Sequence, residues 1–184
     1  GETERWWRSQ APYYEYPLDI LDVKKRSIFT RRESVEEAPN YYIRDLKKDN
    51  LTALTDFQHP YPQLKEVHKE LVQYKRKDGV ELSGTLYLPP GYDEEKDGPI
   101  PVLMWAYPEE FKSAAAAGQV SGSPHRFIRL SWASPLYWLM QGYAILDDPG
   151  MPIIGEEDAE PNDTFVEQLV SNAEAAIDYL VDRG

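Results

Sequence analysis

The most condensed hydrophobic pattern in the chain is the unbroken run Val102-Leu103-Met104-Trp105-Ala106, with Pro99 and Pro101 before it and Pro108 just after Tyr107. Prolines at both ends and a β-branched opening predict a short buried strand rather than a helix. A strand apolar on both faces belongs inside a parallel sheet whose two faces are covered, so Val102–Ala106 is expected to be a fully covered middle strand. A second run, Tyr143-Ala144-Ile145-Leu146, ends in Asp147-Asp148-Pro149-Gly150 and predicts another strand of that kind. In such sheets functional groups sit where strands give way to loops, which singles out Tyr107 and Asp147.

Elsewhere the pattern alternates. Val80, Leu82, Gly84, Leu86 and Leu88 take every second place, with polar residues and Tyr87 between them. With Leu71–Lys77 and the turn Asp78-Gly79, this predicts a β-hairpin with one buried face. From Phe165 to Val181 apolar residues recur every three or four positions, which predicts a helix closed by Gly184. Thr164 and Glu167 have the spacing of a capping box at its start. Ser134-Pro135 and Gly142 bracket a shorter amphipathic segment. The stretches Glu109–Leu130 and Asp148–Asp163 are expected as loops.

Residues 1–66 lack helical periodicity. Ser27–Arg31, Asn40–Asp45 and Leu51–Thr55 predict strands, the last two joined by the polar turn Lys47–Asn50. This pattern suits either a small antiparallel meander or the outer hairpin of a β-propeller blade. The proline-rich segment around His59-Pro60-Tyr61-Pro62 predicts a linker.

Composition narrows the function classes. Of 184 residues 41% are hydrophobic, enough for a core, and the net charge of −12 argues against nucleic acid as a partner. The chain has no cysteine, which excludes disulfides, thiol nucleophiles and cysteine-ligated metals. No run approaches the roughly 18 apolar residues of a membrane helix, and Gly1-Glu2-Thr3-Glu4 is not a signal-peptide start, so neither a membrane nor a cofactor is expected.

A hairpin followed by strand, helix, strand and helix is how an α/β-hydrolase sheet begins. The frame Lys77-Asp78-Gly79 through Leu86-Tyr87-Leu88-Pro89, then Trp105-Ala106-Tyr107-Pro108, resembles the prolyl oligopeptidase family of serine peptidases, in which a β-propeller caps an α/β-hydrolase domain. His59-Pro60-Tyr61-Pro62-Gln63-Leu64, Pro108-Glu109-Glu110-Phe111-Lys112-Ser113, Met151-Pro152-Ile153-Ile154-Gly155-Glu156 and Asn162-Asp163 with Phe165–Val170 are similar to the glutamyl endopeptidase branch of plastids and bacteria. The resemblance runs from about residue 40 to the end. It implies an α/β fold: 1–58 as the end of a β-propeller, 59–70 as linker, and 71–184 as the N-terminal half of the hydrolase domain, stopping before the nucleophile strand.

It also implies that Tyr107 donates its hydroxyl to the oxyanion of a tetrahedral intermediate. The nucleophile, aspartate and histidine of the triad would all lie downstream. None of Ser113, Ser121, Ser123, Ser131 and Ser134 has the flanking glycines of a nucleophile elbow, and His59, His68 and His125 are expected as surface or core residues. The carboxylates Asp147-Asp148, Glu156-Glu157-Asp158, Glu160 and Asp163 lack the ligand spacing of a calcium loop and are expected as a solvated loop. For a substrate glutamate, Arg126 and Arg129, with Lys112, are the candidate cations, arginine being the better bidentate partner. The expected partners are a peptide substrate and the remainder of the same polypeptide, without which the segment is expected to be inactive and its apolar strand edge bare. An esterase or aminopeptidase-like hydrolase, and a non-catalytic binding module, are the alternatives. The resemblance implies a plastid or bacterial envelope; the residues themselves choose no compartment.

Overall fold

The computed structural model describes residues 2–120, 122–155 and 159–184. Ser121 and the Glu156-Glu157-Asp158 part of the acidic stretch lie outside the described residues. The chain falls into two compact units. One comprises residues up to Lys65 together with His125–Arg129; the other comprises Glu66–Pro124 and Leu130–Gly184.

The first unit is a four-stranded antiparallel sheet, β1 (Tyr14–Asp22), β2 (Ser27–Glu33), β3 (Asn40–Asp45) and β4 (Asn50–Ala53), in sequence order. That is the size and up-and-down order of one propeller blade, and one blade closes no propeller. β1 is missing from the expected strands because Pro17 breaks its alternation. The structure tolerates the proline because β1 is an edge strand whose register slips between Pro17 and Asp19. Its centre is partly polar. Glu15, 6% exposed, accepts from Thr30 Oγ1 at 2.7 Å and from Arg44 Nε and Nη2 at 3.1 and 2.7 Å. Asn40 ties the chain beyond β4 back to β3, accepting from Thr55 Oγ1 and the Phe57 amide, both at 2.7 Å.

The second unit opens with the hairpin β5 (His68–Lys75) and β6 (Glu81–Leu88), whose turn needs the left-handed Gly79 at φ 92°. There follow α1 (Glu94–Asp97), β7 (Val102–Trp105), β8 (Pro108–Phe111) and α2 (Ala114–Ala117). A 3₁₀ helix at Pro135–Gln141, β9 (Ala144–Asp147), β10 (Met151–Ile154), a 3₁₀ turn at Pro161–Thr164 and α3 (Phe165–Arg183) complete it. The main sheet has the order β5-β6-β9-β7, antiparallel except for the parallel β9–β7 pair. Val72, Leu82, Leu86, Ala144 and Leu146 pack with Ala175 and Ala176 of α3 to form its core. The punctuation at 134–142 is as the sequence implies, with Ser134 Oγ capping Leu136 N and Gly142 left-handed, although the segment between is 3₁₀.

Three expectations need correction. β7 is not covered on both faces, since Val102 and Trp105 are 39% and 58% exposed. Among the described residues its second edge is bare, as expected of the segment without the rest of its polypeptide. The capping box does not form, because the 3₁₀ turn before α3 takes over: Phe165 N donates to Asn162 O, and the Thr164 hydroxyl accepts from Gln168 Nε2 at 2.8 Å. Finally, the two expected loops contain β8 and β10, which pair with each other in parallel. No helix among the described residues is long and apolar enough to cross a membrane.

Candidate active site

β7 and β9 run in parallel until Trp105 stands opposite Asp147. Pairing resumes at Pro108 opposite Met151, where β8 and β10 begin. Ala106 and Tyr107 fill the gap on one side; Asp148, Pro149 and Gly150 fill it on the other. The β9 side therefore carries one extra residue, a bulge that breaks the ladder beside Tyr107. Asp148 takes up the excess with φ 50°, its amide donating to Trp105 O at 2.9 Å. Gly84 makes room for the bulge: a Cβ there would lie 3.0 Å from Pro149 Cα. One residue on, Gly150 N donates to Ser83 O at 2.8 Å.

Tyr107 sits in that break and is 79% exposed. A hollow of about 50 Å³ beside β7 is lined by Leu86, Leu88, Ile100, Val102 and Leu180 with Glu94 and Arg183, and Tyr107 is not among its lining residues. Tyr107 lies two residues beyond the end of β7. Its backbone is nevertheless confined, because a residue before proline is restricted to extended conformations. Asp147, at the matching end of β9, is half-buried. Burial pushes its carboxyl above the ordinary carboxylate value, Asp148 adds to the rise, and Lys69 opposes it. The buried Tyr87 phenol is raised by burial first and by Asp147 second.

β10 lies between β8 and α3. Met151 and Ile153 face β8, whereas Pro152 and Ile154 turn their backbone toward the helix. Gln168 reaches Ile154 like a peptide group, accepting from its amide and donating to its carbonyl, both at 2.9 Å. One turn later Asn172, with no exposed surface, donates to Pro152 O at 2.9 Å and accepts from Arg76 Nη1 at 2.8 Å. Arg76 in turn grips both oxygens of Asp78 at 2.8 and 2.7 Å. The sequence reading gives Gln168 and Asn172 no role. The available signal is a pair of amides at i and i+4, one of them on the apolar face of a helix.

The remaining candidates are held by contacts of their own. Arg126 and Arg129 belong to the first unit. Arg126 lies over the Tyr14 ring at 4.7 Å and donates to its hydroxyl at 3.0 Å. Arg129 Nη2 meets Glu33 Oε2 at 3.1 Å, while Glu33 Oε1 accepts from Phe127 N at 3.3 Å. His59 packs edge-on against Phe127, and its imidazole is lowered by burial and then by Lys65. His68 Nε2 stands 3.6 Å from Glu70. Among the described residues no group of acidic and histidine side chains has metal-site geometry.

No protein-family model matches the chain. Along its whole length it is 50% identical to a protein of Oryza sativa subsp. japonica and 47% identical to one of Arabidopsis thaliana, each named probable glutamyl endopeptidase, chloroplastic. It spans only 21% and 20% of those two proteins. Among solved structures, oligopeptidase B from Leishmania major superposes on 97% of this chain with a TM-score of 0.54, at 13% identity and over 24% of its own length. That likeness concerns the fold, mixed sheets with helices in the manner of prolyl oligopeptidases.

Proposed function

We propose, for a chain homologous along its full length to a segment of proteins named glutamyl endopeptidase, that its parent is a serine peptidase acting through an acyl-enzyme. In this reading residues 1–58 end a propeller, 59–70 link it, and 71–184 begin the hydrolase domain. The segment supplies Tyr107, whose hydroxyl donates to the oxyanion of the tetrahedral intermediate. The nucleophile and the rest of the triad come from elsewhere in the parent, so the 184 residues alone are inactive.

The observation carrying the proposal is the placement of Tyr107 at the break between two parallel strand pairs, β7–β9 and β8–β10. Two of the segments behind the family resemblance, Pro108–Phe111 and Met151–Ile154, are partners in the second pair. A neutral donor held by a stiff backbone is what oxyanion stabilisation needs, provided water is excluded when substrate binds. For a glutamyl substrate, Arg126 and Arg129 are the proposed carboxylate partners, each already oriented by Tyr14 or Glu33.

The test is turnover of a fluorogenic peptide ending in glutamate by the full-length parent and its Tyr107→Phe variant. Losing one oxyanion donor is expected to lower kcat by roughly 10²- to 10³-fold. Equal turnover by the two proteins removes Tyr107 from the mechanism.

A further inference from the structure

We infer that Gln168 and Asn172 are positioning residues for Tyr107, with α3 taking the place of a β-strand along the open side of β10. This rests on the reading of Tyr107 as the oxyanion donor.

The backbone around Tyr107 is fixed at two points with only Ala106 and Tyr107 between them. Upstream, Trp105 belongs to the main sheet, and its carbonyl accepts from Asp148 N at 2.9 Å. Downstream, Pro108 is the first residue of β8, whose only strand partner among the described residues is β10. A two-stranded sheet is marginal without further support. That support comes from the helix. Gln168 supplies one acceptor and one donor to Ile154, as the peptide group of a neighbouring strand would, and Asn172 supplies a donor to Pro152 O.

The residue types fit this arrangement closely. Proline offers a carbonyl and no amide, so at position 152 its one polar group is satisfied by one side-chain donor and no amide is left over. Gln168 is itself steadied by Thr164 Oγ1, and Asn172 by the buried Arg76. A continuous line of hydrogen bonds therefore runs from Asp78 through Arg76 and Asn172 to β10, across the ladder to β8, and so to the residue after Tyr107. With the amides gone, β8 and β10 lose their hold on α3, and the downstream fixed point of Tyr107 loosens while the upstream one remains.

The experiment combines Gln168→Leu and Asn172→Leu with Tyr107→Phe in the full-length parent, measuring kcat and KM on a glutamyl peptide. Gln168→Leu is expected to lower kcat by roughly 10- to 100-fold with KM little changed, the scale of a misplacement near 1 Å. In the Tyr107→Phe background the same change is expected to alter kcat by less than about twofold, since no phenol remains to be misplaced. Gln168→Glu keeps the acceptor for Ile154 N but sets an oxygen against Ile154 O, and is expected to fall between wild type and Gln168→Leu. Asn172 is fully buried, so Gln168, at the helix margin, carries the test if Asn172→Leu fails to fold. An equal loss in both backgrounds, or no loss at all, overturns the positioning role while leaving Tyr107 in place. A Tyr107→Phe protein as fast as wild type overturns both.

Discussion

The hydrogen bond between Arg76 and Asn172 makes a quantitative prediction. Arg76 is 5% exposed and Asn172 has no exposed surface, and their 2.8 Å contact joins the β5–β6 turn to α3. Replacing Arg76 by methionine strands the buried Asn172 Oδ1, at about 1–3 kcal/mol. It also removes the ion pair with Asp78, whose side chain is 55% exposed, so solvent screening limits that loss to about 1 kcal/mol or less. Replacing Asn172 by leucine strands both an Arg76 donor and the Pro152 carbonyl, about 4 kcal/mol at roughly 2 for each orphaned group. In the double variant only Pro152 O is left without its partner and the Asp78 pair is gone, for a loss of about 3 kcal/mol. The double loss is thus expected to fall short of the sum of the single losses by about 4 kcal/mol, roughly 2 for each of the two groups that one change orphans and both together do not, somewhat above the roughly 0.5–3 usual for direct partners. The assay is native-state hydrogen exchange in the full-length parent, reading opening free energies at the Val80 and Ile154 amides. Additive losses would refute the claim that the two side chains act as one buried unit.

Other substitutions probe the rest of the chain. Glu15→Ala leaves the Arg44 guanidinium in a site where its partner is 3% exposed, and should destabilise the first unit by about 3–5 kcal/mol, read as a lowered melting transition. Gly155→Ala would set a Cβ 2.6 Å from both Ala159 O and Pro161 Cδ; overpacking of about 1–3 kcal/mol is expected in urea unfolding, and an unchanged midpoint would contradict the close return of the chain there. Burial pushes the Tyr74 phenol up to about 12, with Tyr179 adding to the rise. Its stabilising contribution is full below the ordinary tyrosine value near 10 and is lost as pH rises through about 12, so Tyr74→Phe should lessen alkaline destabilisation in a melt series across that window.

What was legible in the sequence is what local interactions decide. Asn40–Asp45 is a strand because aromatic and β-branched residues cluster just before a polar turn, and the observed β3 has those bounds. The hairpin follows from Asp78-Gly79, and α3 from apolar residues that recur every three or four positions. What was not legible depends on distant partners. β8 contains two adjacent glutamates and β10 a proline, so neither has a strand's local signature; each forms because the other lies alongside. β1 survives Pro17 because, among the described residues, one of its edges is unpaired, a fact of topology rather than of its own residues. Likewise Val102–Ala106 declares that it prefers to be covered, but nothing in five apolar residues says which neighbour covers which edge.

The same distinction bears on Tyr107. Its neighbours in sequence fix the backbone, since Pro108 restricts it and the one-residue mismatch between the strand pairs turns it out of the ladder. They do not fix its surroundings. A hydroxyl on a side chain 79% exposed meets a developing oxyanion in competition with water, and a donor in water is worth far less than one in a dry site. In the proposed reading the segment therefore sets the position of the donor, and its strength comes from whatever excludes water above Tyr107 and Trp105 when substrate is bound.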